Sequence, residues 1–253
     1  MDLLDLTGAR VLLTGGSQGI GAAAVRMLRA AGACVSFTYH ARGDLAHAVC
    51  AELGSGVFSQ HADLGDPDAP TKIVQTALAQ LGGIDVLVNN AAIFAENPFD
   101  GDDFAAWRRG WQRTFAINTF AAADLAWLVM REMRAAKRGG RIINVASRAA
   151  HRGELTFADY GASKAALVNL TKSIARGCAA DGISAFAVAP GFIATEMAAE
   201  AIAQHGATIA SEIPSGRIGL ADDVAGVIVF LASPLATYAT GSTIDVNGGS
   251  YVR

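Results

Sequence analysis

Short apolar runs alternate with longer stretches of helical spacing along most of this chain. "ARVLLTG", "CVSFTY", "GVFSQHAD", "IDVLVNN", "GRIINVAS", "ISAFAVAP" and "STIDVN" have strand length and are rich in apolar or β-branched residues. Between them, residues 18–31, 67–81, 104–136 and 155–178 are Ala-rich with apolar positions at helical intervals. Seven strands separated mostly by helices predict βαβ units and a mainly parallel sheet. Several runs are apolar at successive positions instead of alternating, which suits strands covered by helices on both faces. The expectation is one α/β domain over residues 1–253, doubly wound, with ligands at the carboxyl ends of the strands.

Composition narrows the class. The chain is 52% hydrophobic and 17% charged, enough for one large buried core. A formal charge of −3, spread over interspersed acids and bases, predicts no nucleic-acid partner. Cys34, Cys50 and Cys178 are scattered, odd in number and without C-x-x-C. They predict neither a disulfide scaffold nor a metal site, and they suit a reduced cytoplasmic location. The N-terminal "MDLLDLTGARVLL" is acidic where a secretory signal would be basic, and no apolar run reaches membrane-spanning length.

Candidate chemistry gathers at the predicted strand ends. "LLTGGSQGIGAAAVRML" follows the first strand and opens a helix. Its glycines let a phosphate approach the backbone at the positive end of the helix, although a plain turn also uses glycine. The spacing G-x-x-x-G-x-G lacks the lysine of a P-loop, which argues against an NTPase. In "YGASKAALVNL", Tyr160 and Lys164 leave one face of a helix, one turn apart. A phenol titrates near 10 when unperturbed, and a nearby ammonium favours its phenolate. The bland alternative is an exposed tyrosine beside a solvated lysine. Ser147 closes a strand, where its hydroxyl can donate to a developing oxyanion or simply make a turn. Trp107, Trp111 and Phe115 share a helix face, and Asn118 follows three residues later. That places an amide on an apolar stripe, where it needs partners.

"TGGSQGIG", "NNAA" at 89–92, "IN" ending at Asn118, "VAS" ending at Ser147, Tyr160-x-x-x-Lys164 and "PG" at 190–191 occur in that order. Together they resemble the short-chain dehydrogenase/reductase family, most of all its 3-oxoacyl-carrier-protein reductase branch. The resemblance implies a Rossmann fold and NAD(P)-dependent hydride transfer, with Tyr160 as proton donor and Ser147 orienting the substrate. It implies that Lys164 also bonds the nicotinamide ribose and that Asn118 holds a water in a proton relay. It places Gly15, Ser17, Gln18, Gly19, Ile20 and Gly21 around the pyrophosphate and Asp63 and Leu64 at the adenine. Asn90 and Ala91 fall beside the nicotinamide ribose, and Pro190, Gly191, Ile193 and Thr195 near the carboxamide or pyrophosphate. Ala92 departs from the pattern, standing where the family normally has glycine.

The second strand ends at Tyr39, followed by His40 and Arg42, with no carboxylate until Asp44. An NAD-selecting site would present an acid there, whereas Arg42 suits a 2′-phosphate, so NADP(H) is expected over NAD(H). Against this, Gln18 stands where many NADP-dependent relatives carry Arg or Lys. Phe94, Phe99, His151, Phe192, Ile193 and Met197 are expected around the substrate, with residues 192–213 as a lid or an ordinary packed helix. Arg131, Arg134, Lys137, Arg138 and Arg176 suit an acidic acyl-carrier protein, or merely complement helix C-termini. Surplus apolar surface on 104–136 and 155–178, with Gly161, Ala162, Ala165 and Ala166 allowing close approach, predicts a homotetramer. Three functions stand: reduction of a 3-oxoacyl thioester-like carbonyl, oxidation of a free alcohol, sugar or steroid, and non-catalytic dinucleotide sensing or scaffolding.

Overall fold

The computed structural model describes residues 4–252. The apolar runs become β1 (Arg10–Leu13), β2 (Cys34–Tyr39), β3 (Val57–His61), β4 (Val86–Asn89), β5 (Gly140–Val145), β6 (Ile183–Pro190) and, after two short strands, β9 (Thr243–Val246). They form one sheet in the order β3-β2-β1-β4-β5-β6-β9. Every pairing in it is parallel, so "mainly parallel" sharpens to wholly parallel. The short strands β7 (Ile193–Ala194) and β8 (Gly219–Leu220) pair separately.

Side chains alternate across a strand, so consecutive apolar residues feed two cores. Val11 and Leu13 pack with Val25 and Leu28 of α1 (Gly19–Ala30) and with Val224 and Ile228 of α9 (Ala221–Ala232). Leu12, between them, faces the other way. It joins Ile73 of α3 (Ala69–Leu81) and the helices that follow β4. The chain runs outward through β1, β2 and β3 and then returns to place β4 against the other side of β1. Helices α1 and α3 therefore lie on opposite faces, and a crevice opens where β1 and β4 diverge.

The stretch 104–136 is not one regular helix. It comprises α4 (Phe104–Phe115), a π turn over Ala116–Phe120 and α5 (Ala121–Ala136). The wider turn buries Asn118 and Thr119 together, a polar pair beside an aromatic stripe that a regular 3.6-residue period does not anticipate. The stretch 155–178 starts later than its composition suggests, as α7 (Ala158–Cys178), because Phe157 has non-helical φ/ψ. The remaining helices are α2 (Gly43–Leu53), α6 (Ala149–Arg152) and α8 (Ala199–Ser211). Helix α8 buries none of its residues and is kinked at His205.

A polar ladder crosses the middle of the core. Asn89 Nδ2 donates to Asn144 Oδ1 at 2.9 Å and to the Ala122 carbonyl at 3.2 Å. Asn144 Nδ2 donates to Thr171 Oγ1 at 2.9 Å, and that hydroxyl donates to the Leu167 carbonyl at 2.8 Å. Two strands are thereby tied to α5 and α7 just below the site. Asn144 is fully buried, so Asn144→Ala creates a cavity and strands polar partners. The expected cost is about 2–3 kcal/mol. Thermal denaturation should show a fall of several degrees; an unchanged midpoint would mean the ladder contributes no net stability.

Candidate active site

The loop from β1 into α1 sits in the crevice between β1 and β4. Its position is held by hydrogen bonds from both neighbouring strand ends. Gly15 N donates to Thr38 Oγ1 at 3.1 Å and Gly16 N to the Thr38 carbonyl at 2.9 Å. Thr14 Oγ1 accepts from Asn90 N and Ala91 N, both at 3.0 Å. Asn90 Nδ2 closes the clamp on the carbonyls of Thr14 (2.9 Å) and Gly15 (3.0 Å). Gly21 passes so close to the Gly15 carbonyl that any Cβ would overlap it. Gly19 adopts φ +53°. Gln18 is extended and its side chain does not cap α1, so the first-turn N–H groups beside Ser17 and Ile20 remain available to an anion. Across the loop, the Thr195 methyl lies 3.1 Å from where a Gly19 Cβ would stand. This narrow, glycine-lined cradle fits a dinucleotide pyrophosphate, and it brings together the glycine-loop residues and Thr195. Ala92 costs no strain: among the described residues only Lys137 is a non-glycine with positive φ. Thr14 and Thr38 carry no signal in the sequence, because a threonine at a strand end has no distinctive spacing.

At the far end of the crevice, Tyr39 is edge-on to His47 and His61, with centroids 6.1 and 5.6 Å away. His40 stacks on His61, and its Nε2 lies 3.9 Å from Asp63 Oδ2. Asp63 Oδ1 accepts from Gly65 N at 2.8 Å, and Leu64 packs against the core. Arg42, expected to suit a 2′-phosphate, is paired within the chain. Its Nε and Nη2 bond both Asp44 oxygens, at 3.0 and 2.8 Å, which holds the Asp44 carboxyl down at about 2. The first carboxylate after β2 thus folds back onto the base it follows.

The third group lies between β5 and α7. Lys164 is 1% exposed, and its Nζ donates to the Val145 carbonyl at 2.7 Å. The same nitrogen lies 5.7 Å from the centre of the Tyr160 ring. Burial pushes Lys164 down to about 7. Burial also pushes the Tyr160 phenol up to about 12, opposed by a hydrogen bond with Ser147 and reinforced by the charge of Glu154. The expected lowering of the phenol by an adjacent ammonium is therefore corrected. Desolvation disfavours both charged forms, and the ammonium spends a hydrogen bond on Val145. Ser147 Oγ also accepts from Ala149 N at 3.1 Å. Asn118 is a fully engaged amide: Oδ1 accepts from Ile93 N at 2.8 Å, and Nδ2 donates to the Ile93 carbonyl (3.0 Å) and Ser163 Oγ (3.2 Å). Ser163 in turn donates to the Tyr160 carbonyl at 2.7 Å, so Asn118 braces the helix turn that carries the phenol.

An aromatic wall flanks Tyr160. Phe94 stacks on Phe157 with centroids 3.9 Å apart and meets Tyr160 edge-on at 4.8 Å. Phe157 is absent from the sequence-based candidates, although an aromatic three residues before Tyr160 is a readable signal. On the other side, Pro190 ends β6, Gly191 N donates to the Val246 carbonyl at 3.0 Å, and Ile193 is buried. The Arg148 guanidinium lies over Phe192 at 4.8 Å, and His151 stacks on Tyr251. Phe99 and Met197 are exposed. Gly161 packs closely on α6 within the chain, where a Cβ would stand 3.2 Å from the Ala149 carbonyl.

Comparison with known proteins agrees with this geometry. A family model described as enoyl-(acyl carrier protein) reductase matches residues 15–251. The 3-oxoacyl-(acyl-carrier-protein) reductase of Escherichia coli is 36% identical over 249 residues, covering 98% of this chain and all of that protein. The acetoacetyl-CoA reductase of Shinella zoogloeoides is 38% identical, covering 95% of this chain and 97% of that protein. Among solved structures, a Brucella melitensis short-chain dehydrogenase/reductase named glucose/ribitol dehydrogenase superposes with a TM-score of 0.90 at 33% identity, covering 98% of this chain and 99% of that one. A metagenomic blue fluorescent protein in complex with NADPH superposes at 0.89 with 36% identity, covering 98% of this chain and 100% of that one. The cradle, the buried lysine beside a phenol and this full-length likeness agree: the chain belongs to the short-chain dehydrogenase/reductase family of oxidoreductases.

Proposed function

We propose that this protein reduces a carbonyl to a secondary alcohol with NADPH, using Tyr160 as proton donor. The observation that carries the reading is the placement of the phenol: Tyr160 meets Ser147 just past the end of β5 and stands one turn from the buried Lys164, at the same strand ends that carry the glycine cradle. A tyrosine is protonated at neutral pH and so can donate. The nicotinamide, when bound, supplies hydride to the carbonyl carbon. Ser147 orients the carbonyl oxygen, and Tyr160 gives its proton to that oxygen as negative charge develops there. The phenolate left behind accepts a hydrogen bond from Ser147, and Lys164, 5.7 Å from the ring centre, adds positive charge in its protonated form. The cradle at Gly15–Gly21, together with Asn90, Ala91, Pro190, Gly191, Ile193 and Thr195, would hold the cofactor, with Asp63 and Leu64 at the adenine. Asn118 acts as a brace for the catalytic turn.

NADP(H) is preferred over NAD(H) in this reading because β2 ends on Tyr39 without an acid in the strand and is followed by His40 and Arg42. The substrate is a 3-oxoacyl thioester-like or other apolar ketone. The stacked Phe94 and Phe157 beside the phenol favour an apolar substituent over a polyol, which weighs against the free-sugar reading suggested by the name of the Brucella relative. Residues 192–213 form a lid on a single catalytic domain, since α8 buries nothing and follows Thr195 of the cradle within one short turn. A homotetramer would cover Phe104, Phe120 and Trp127, which are 67%, 60% and 55% exposed on α4, the π turn and α5. Carrier-protein docking rests on the exposed Arg131 and Arg176, of which Arg131 already stacks over Trp127. No described helix is long and apolar enough to cross a membrane, and the reading places the enzyme in the cytoplasm.

Tyr160→Phe should lower turnover on acetoacetyl thioesters or apolar ketones by at least about a hundredfold while NADPH still binds. Lys164→Ala should lower both turnover and NADPH affinity. Near-normal turnover in Tyr160→Phe would assign the proton to another group. A wild-type protein that binds NADPH yet reduces nothing across thioesters, ketones, steroids and keto-sugars would instead favour a sensor.

Fluorescence titration should show tighter binding of NADPH than of NADH, and Arg42→Ala should erase that difference. Equal affinities in the wild type would refute the preference.

Lys164 also predicts a pH dependence of stability. Its folded value of about 7 lies below the ordinary 10.5, so the unfolded chain binds more protons between those values. Stability contributed at this site therefore rises with pH across that window and is lowest below 7. Relative to Lys164→Met, wild type should gain stability in urea denaturation between about pH 7 and 9.5. Tyr160, raised from 10 to about 12, reverses the trend only above pH 10. Parallel pH curves for the two proteins would exclude a buried, titrating lysine.

A further inference from the structure

We propose that Asp44 sets nucleotide selectivity by competing with an adenosine 2′-phosphate for the guanidinium of Arg42. The inference rests on the reading that this crevice binds NADP(H).

Arg42 presents its Nε and Nη2 edge to both oxygens of Asp44, at 3.0 and 2.8 Å. The same planar edge would grip two oxygens of a phosphate, so one occupant must leave before the other binds in that geometry. Both side chains are solvent-exposed, at 49% and 65%. Exposed ion pairs are weak, and a phosphate bearing nearly two charges can displace this carboxylate. Displacement does not strand Asp44, whose carboxylate is 65% exposed and can turn to water. A second acid bears on the same cation: the charge of Glu196 acts on Arg42. Glu196 Oε2 stands 3.6 Å from where a Gly19 Cβ would be, so its carboxylate reaches from the lid segment to the glycine loop. The neighbouring His40 faces an acid of its own, with Nε2 3.9 Å from Asp63 Oδ2. The cation expected to read the phosphate is thus already attended by carboxylates. Asp44 makes the direct contact, and its removal should release the largest share of the competition.

The test is calorimetric titration of wild type, Asp44→Asn, Arg42→Ala and the double variant with NADPH, NADH and adenosine 2′,5′-bisphosphate at low salt. Asp44→Asn should bind NADPH and the bisphosphate about three- to tenfold tighter, with NADH changed by less than about twofold. The gain should vanish in the double variant and shrink as salt is raised. Unchanged NADPH affinity in Asp44→Asn overturns the proposal. So does weakened NADH binding, which would make Asp44 a ribose acceptor. The NADP preference itself is judged on the wild-type ratio alone, so the two readings fail separately.

Discussion

The buried amine of Lys164 is the constraint around which the catalytic end is arranged. A lysine with almost no solvent contact loses hydration that one hydrogen bond only partly replaces. Its donation to the Val145 carbonyl fixes α7 against the carboxyl end of β5, two residues before Ser147. The phenol of Tyr160, one turn earlier, is thereby delivered to the serine. The Asn118–Ser163 brace prevents that turn from relaxing away. Desolvation disfavours the charged form of both groups. The burial of one amine thus fixes where the phenol stands.

The nucleotide end depends on a different device. Parallel strands whose connections leave on opposite faces must diverge at β1 and β4, and the divergence exposes the loop between β1 and α1. Thr14, Thr38 and Asn90 pin that loop through backbone groups. Glycine is demanded most strongly at Gly21, where backbone meets backbone. The rigid cradle contrasts with α8, which has no buried residue to hold it. Hydrogen bonding is dense around the glycine loop and the phenol, and burial is absent along α8.

Electrostatics differ between the two ends for the same reason, solvent. At Lys164 the absence of water makes charge expensive and shifts both titrating groups strongly. At Arg42 and Asp44, which are 49% and 65% exposed, water screens the charges, and an ion pair there is weak. On the proposed reading, changes at the second strand's end would alter nucleotide choice without disturbing the buried group.

The periodicity of the chain was sufficient for the parallel α/β sheet, because runs apolar at successive positions have few other ways to be buried. The ordered motifs were sufficient to place Asn118, Ser147, Tyr160 and Lys164 at strand ends and on helices, since spacing within a helix or at the end of a strand is local. Three features needed the folded chain. The π turn that turns Asn118 inward depends on how α4 and α5 pack, and residue composition carries no signal for the extra residue. The pairing of Phe94 with Phe157 joins segments more than sixty positions apart. The directions in which Tyr160 and Lys164 are shifted follow from their burial, which their spacing does not show. Local spacing makes two groups neighbours, but only the packed environment decides how costly charge is on each.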